Sequence, residues 1–278
     1  MSDYYLTKFW KNVKDSSWPN VETWDDFINI NDSIKKECYN VHGLQDRLDV
    51  IENVEYWQAR AIAQFQKDQF LFINVPKCGS AHYYDFFRNR LDWQPMPVNN
   101  MDDIKRHVNF GLMMHPLDRY LKGLTQFIWE HDLTDHINLE RFVTDCVIPD
   151  WHSMPYSLMF GTHMNNIHWI PYSSMTAQQT KSCMNALFKL YESEISIPLD
   201  HPVLHESPPK KQQLFKQILK IWQSRQEPTF HKPLCKNNDN NSNLYLIYQL
   251  YAKDLQFYRQ LITNFKPDWS HIKGKLSN

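Results

Sequence analysis

Glycine is scarce in this chain. There are 6 glycines in 278 residues, against 10 tryptophans, 14 tyrosines and 16 phenylalanines. That balance excludes a low-complexity or disordered chain and predicts a packed globular one. Charge of one sign is lacking too. Lysine and arginine number 30, aspartate and glutamate 31, and the formal net charge is −1. No global field is available to gather nucleic acid. The five cysteines (Cys38, Cys78, Cys146, Cys183 and Cys235) are scattered, odd in number and contain no Cys-x-x-Cys pair. This excludes a disulfide framework and the usual zinc spacings. No apolar run approaches the roughly 20 residues that cross a bilayer. The first 18 residues contain no apolar signal-peptide core, which predicts a cytoplasmic protein. The nucleoside triphosphatase loop, Gly, four residues, then Gly-Lys-Ser/Thr, is absent, which argues against a nucleotide kinase.

What is present centres on residues 69–87. Phe70-Leu71-Phe72-Ile73-Asn74-Val75 is rich in aromatic and β-branched side chains and predicts a buried strand. Pro76 ends it, and Lys77-Cys78-Gly79-Ser80 predicts a tight turn. Beyond the turn, Tyr83, Phe86, Phe87 and Leu91 recur at helical spacing. Strand, turn with Lys and Gly, then helix is the layout of an anion cradle. The first-turn N–H groups have no intrahelical acceptor, and the helix dipole and a lysine both favour phosphate or sulfate. Cys78, beside Lys77 at a helix start, is expected to ionise more readily than a free thiol, or simply to fill the turn with a small side chain.

The unit repeats. Residues 108–114 predict a second buried strand, and from Pro116 the apolar positions Leu117, Tyr120, Leu121, Leu124 and Ile128 predict a helix. Repetition implies an α/β fold: a parallel sheet with right-handed crossovers flanked by helices, and ligands at the carboxyl ends of its strands. Residues 167–171 predict a third strand. Helices are predicted over 51–65, 139–147, 177–190, 210–222 and 244–262, with short helical turns near 18–27 and 101–106. Residues 93–100 predict a loop, and the polar run 236–243 another. These elements divide the chain into a helical N-terminal extension, 1–68, and an α/β domain, 69–278.

Pro76-Lys77-Cys78-Gly79-Ser80 resembles the 5′-phosphosulfate loop of the sulfotransferase superfamily, with Ala81 where that family usually has a hydroxyl residue. His115-Pro116 and Arg119 resemble its 3′-phosphate motif, Arg-Asp/Asn/His-Pro-x-x-Arg-x-x-Ser. Met114 stands in place of the first Arg and Lys122 in place of the Ser. Asp150, His152 and Pro155 resemble an Asp-x-His-x-x-Pro-Gln stretch, with Tyr156 for Gln. His201 to Ser207 resembles a His-x-Asn-x-Ser loop without its Asn. Tyr251, Asp254 and Tyr258 match the spacing of the helix that closes many such domains.

The resemblance implies a P-loop-like domain. It also implies an enzyme that moves a sulfuryl group from 3′-phosphoadenosine 5′-phosphosulfate to a hydroxyl of a glycan, lipid or small molecule, without a metal. It places Lys77, Cys78, Gly79, Ser80, Ala81, His82, Arg119 and Lys122 at the nucleotide, with Lys77 stabilising the leaving phosphate oxygen. The general base is His107 by position, with His82, His115 and His152 as the other candidates. Met114, Ala81 and the missing Asn leave open a second implication, a sulfotransferase-like binding protein that does not catalyse.

Overall fold

The computed structural model describes residues 40, 42–44, 63–96, 106–145, 150–200, 207–229, 247 and 250–273. In chain order the elements are β1 (Ala63–Lys67), β2 (Phe70–Asn74), α1 (Ser80–Asp85) continued by a π-helical turn over Phe86–Arg90, β3 (Gln94–Met96), β4 (Val108–Met113) and α2 (Pro116–Glu130). Then come α3 (Leu139–Asp145), a 3-10 turn (Trp151–Ser153), α4 (Tyr156–Phe160), β5 (Ile167–Pro171), α5 (Ala177–Leu190), α6 (Pro209–Thr229), α7 (Ala252–Asn264) and α8 (Ser270–Lys273).

The chain divides into two compact units. One comprises Met1–Glu52, Leu124–Asp150 and Pro208–Leu250; the other comprises Asn53–Gly123, Trp151–Ser207 and Tyr251–Asn278. Helix α2 begins in the second and ends in the first.

The second unit holds a five-stranded sheet in the order β3-β1-β2-β4-β5. Strands β2, β4 and β5 are parallel; β1 is antiparallel to β2, and β3 is antiparallel to β1. The α/β class is as expected, but the sheet is mixed. The reason lies in chain length. Only Asp68 and Gln69 separate β1 from β2, and two residues can close a hairpin but not a crossover. Asp68 takes a left-handed conformation at φ 52 to make that turn. The domain boundary expected between residues 68 and 69 therefore falls inside a hairpin, and 63–65 belong to a strand rather than to the end of a helix. Within the expected 93–100 loop, residues 94–96 pair as β3.

Aromatic packing fills the sheet's core. Phe72 lies 4.4 Å from Phe87 and 5.3 Å from Phe110, Trp93 lies 4.6 Å from Phe87, and Phe188 lies 4.9 Å from Phe70 (ring centroids). All six are essentially removed from solvent. Such rings bring large buried area and edge-to-face attraction together. Gly111 lets the central strands close up. A Cβ there would meet Trp169 Cζ3 at 3.0 Å and the Ile73 carbonyl at 3.1 Å.

In the first unit, α3 packs on α6, and Phe142 stacks on Phe127 at 6.3 Å. Leu214, Ile218 and Trp222 form the buried stripe of α6, and Lys211 donates to Gln126 Oε1.

Helix α5 has the predicted bounds, capped by a reciprocal Thr176–Gln179 box. Helix α6 runs further than the expected 210–222, and α7 begins at Ala252, with 247 and 250 also helical. The turns expected at 18–27 and 101–105, the His201-to-Ser207 loop up to residue 206 and the run at 236–243 lie outside the described residues. Among the described residues, no helix is long and apolar enough to cross a membrane.

Candidate functional site

The sheet register locates the site. Ile73 pairs with Gly111, and Gly111 with Trp169. The loops that follow β2, β4 and β5 leave the sheet at one carboxyl edge. The β4 and β5 loops are joined by a bond: the His115 N–H donates to Ser173 Oγ at 2.9 Å. Neighbouring strands run about 4.8 Å apart, so three loops converge where parallel sheets bind ligands.

The β2 loop has the backbone of an anion cradle. Lys77 is left-handed at φ 65 and Gly79 at φ 75, and right-handed helix begins at Ser80. A left-handed residue followed by a right-handed one turns successive N–H groups to one concave side. The first helical bond is donated by Tyr83 to the Gly79 carbonyl. The N–H groups of Ser80, Ala81 and His82 precede it, and those of Gly79 and Ser80 meet no acceptor among the described residues. A lysine held at positive φ is itself uncommon, and such residues gather at ligand sites. The Lys77 and Ser80 side chains are half-buried. A Cβ on Gly79 would meet Tyr83 Cδ2 at 3.2 Å and Tyr172 Oη at 3.4 Å, so the β5 loop closes over the β2 loop.

Beneath the cradle lies a buried network centred on Tyr156. Its hydroxyl is 2.9 Å from Cys78 Sγ and accepts from the Met114 N–H at 2.9 Å. The N–H groups of Tyr156 and Ser157 donate to Asp254 at 2.5 and 2.8 Å, so the carboxylate of α7 caps α4. Arg119 lies over the Tyr156 ring at 4.7 Å. Its Nε donates to the Pro76 carbonyl at 3.0 Å and its Nη1 to the Met154 carbonyl. The Tyr251 hydroxyl donates to the Ser153 carbonyl. Burial raises the Asp254 carboxyl to about 6, although the two N–H donors and Arg119 pull it down.

The expected site residues take different places. Lys77, Cys78, Gly79, Ser80, Ala81 and His82 form the loop and first helical turn. His82 is buried, with its ring stacked on Phe86. Lys122, half-buried on α2, stands close enough for its charge to act on Cys78. Arg119, wholly buried, spends its guanidinium on two backbone carbonyls and so holds the cradle from below. Met114, where the resemblance has an arginine, is buried as well.

Two expectations are corrected. His107 does not stand beside Lys77. It precedes β4, whose first residue, Val108, bonds to the Gln69 carbonyl ahead of β2, so His107 lies at the amino end of the parallel strands. The length of a strand, about 3.3 Å per residue, separates it from the loop. The Cys78 thiol is not acidified. Burial pushes it up, outweighing Arg119, the Tyr156 bond and Lys122, and at 2% exposure it fills the turn.

Sequence reasoning missed Tyr156, Tyr172 and Ser173 as site residues, and it missed the supporting roles of Arg119 and Asp254. The sequence pointed to this segment through Asp150, His152 and Pro155, and Pro155 sets the start of α4, but it gave no sign of the Tyr156 bonds. Compared with known proteins, the chain matches no family model, no curated protein and no solved structure.

Proposed function

We propose that this protein binds a nucleotide phosphosulfate at the β2 loop and transfers its sulfuryl group to a hydroxyl, the acceptor class being a glycan, lipid or small molecule. One observation carries the reading: a lysine and a glycine, both left-handed, lead out of a buried parallel strand into a helix whose first N–H groups lack intrahelical acceptors. That is a site for a tetrahedral oxyanion. The 5′ end of 3′-phosphoadenosine 5′-phosphosulfate fits these donors. The donor molecule supplies an activated sulfur bound to a phosphate leaving group. Lys77 meets the charge that grows on that oxygen, and the N–H groups of Gly79 to His82 orient the equatorial oxygens. Arg119 and Tyr156 keep the loop in shape from below.

A non-catalytic nucleotide-binding role has its own support. Met114 is buried where a phosphate-binding arginine would stand, and Arg119 is engaged with backbone carbonyls. Lys122, on the same helix as Arg119, then supplies a cation for a 3′-phosphate.

Lys77→Ala separates the two readings. On the enzyme reading it lowers sulfuryl transfer by 100-fold or more while the fold melts within a few degrees of wild type. A transfer rate untouched by Lys77→Ala would overturn the placing of the reaction at the β2 loop. A wild type that binds the nucleotide but never transfers would favour the binding role.

A further inference from the structure

The segment 265–273 hangs on one side chain. From Phe265 to Ile272, Trp269 alone is buried; the other residues are half-buried or exposed. Its indole Nε1 donates to the Cys183 carbonyl of α5 at 2.7 Å. Two imidazoles hold the ring. His168, on β5, meets it edge-on at 5.7 Å and 77°, and His271, on α8, stacks on it at 5.6 Å and 24°. Phe265 closes on it at 5.3 Å and 81°. The Trp269 backbone is left-handed at φ 58, which a bulky residue keeps where its surroundings hold it there. The segment's own backbone bonds are local: Trp269 donates to the Lys266 carbonyl at 2.9 Å and Ile272 to the Trp269 carbonyl at 3.0 Å. A segment with one buried anchor and local bonds opens at far lower cost than the sheet beneath it.

His168 decides how well the indole is held. Its Nε2 lies 3.0 Å from the Tyr191 hydroxyl at the end of α5. The ionisable groups that face it are Tyr191 and, from α8, His271. Burial raises the Tyr191 phenol, so Tyr191 keeps its proton and offers no anion. β4 sets Phe110 beside His168, and among the described residues no charge from β4, α5 or α7 acts on it. An imidazolium here therefore has no counter-ion. Burial, then His271, lowers the His168 pKa to about 4, whereas a ring in water titrates near 6.5. We infer that 265–273 is an acid-released strap: protonation of His168 undocks Trp269 from β5 and α5 while the sheet stays folded. The docked strap favours the neutral ring, so its hold is complete above about pH 6.5 and is lost as pH falls toward 4. No residue of the strap enters the proposed transfer reaction.

Amide hydrogen exchange on the full chain, read by nuclear magnetic resonance and corrected for the intrinsic rate at each pH, tests this between pH 7 and pH 4.5. Protection of the Trp269 and Ile272 amides is expected to fall by about 50- to 100-fold across that window. At pH 4.5 both are expected to be at least about 100-fold less protected than the amides of β2 and β4, which open only with the whole unit. In His168→Gln, which cannot take the proton, the acid fall at Trp269 and Ile272 is expected to shrink to within about threefold. His271→Gln keeps His168 and removes the like charge beside it, so the fall is expected to persist but to be smaller than in wild type. Equal protection of strap and sheet at pH 4.5 overturns the strap, because Trp269 then leaves only when the unit unfolds. An acid fall that survives His168→Gln undiminished, or one that His271→Gln enlarges, overturns the role given to His168.

Discussion

Asp254 gives a stability prediction with an unusual sign. The carboxyl is fully buried, and its pKa rises from 3.8 to about 6 in the fold. A raised acid pKa means that the folded state holds the proton more tightly than the unfolded state. The fold is therefore favoured by this group at low pH, and that contribution is lost as pH rises from about 4 through about 6. The shift is roughly two units, and each unit is worth about 1.4 kcal/mol, so the loss is about 3 kcal/mol. Asp254→Asn cannot titrate. It carries a fixed penalty, because one of the Tyr156 and Ser157 N–H groups faces an amide NH2 in place of an oxygen. The quantity to follow is the difference between wild type and variant in urea unfolding, measured from pH 4 to pH 7. The advantage of the wild type is expected to shrink by about 3 kcal/mol across that window, which is about 5–10 °C in melting temperature for a chain of this size. A difference that stays flat, or that grows with pH, would refute the claim that burial outweighs the two N–H donors and Arg119.

His168 should behave in the opposite way. Burial, reinforced by His271, lowers its pKa to about 4. The fold then favours the neutral ring, and stability present above about pH 6.5 is lost as pH falls toward 4, by about 2–3 kcal/mol; His168→Gln, followed over the same pH range, should remove that slope. Gly123 is a packing contact, since a Cβ there would lie 2.6 Å from Ser153 Oγ and 2.7 Å from the His152 carbonyl. Gly123→Ala is expected to cost about 1–3 kcal/mol, read as a fall in the urea midpoint with the slope unchanged.

The parts of this fold that local pattern decides were legible. Strands β2, β4 and β5 are short, continuous apolar runs, and α5 carries its cap in its own sequence, Thr176 to Gln179. The loop at Lys77 was legible for the same reason, because Pro76 and Gly79 punctuate it. Strand β1 was hidden. Its five residues follow a helix-like apolar pattern, and only the alternation through Gln64, Phe65 and Gln66 marks it as a strand. Strand β3, three residues long and largely exposed, carries no hydrophobic signal at all. The network around Tyr156 was illegible on principle. The tyrosine reaches Cys78, Met114 and Asp254 across 78, 42 and 98 residues of sequence, and nothing local announces such a meeting. Arg119 stood out in the sequence by its motif, but its bonds to the Pro76 and Met154 carbonyls beneath the loop did not. His107 was misplaced because order along the chain says nothing about which end of a strand a residue occupies; the register does.

The central claim is that the β2 loop and its neighbours hold a nucleotide by its phosphates. Calorimetric titration of the full chain with adenosine 3′,5′-bisphosphate, set beside adenosine 5′-monophosphate, tests it most directly. The account predicts saturable binding of the bisphosphate, weaker binding of the monophosphate, and loss of both on Lys77→Ala. Absence of heat with either nucleotide, or affinity indifferent to Lys77→Ala, would contradict it.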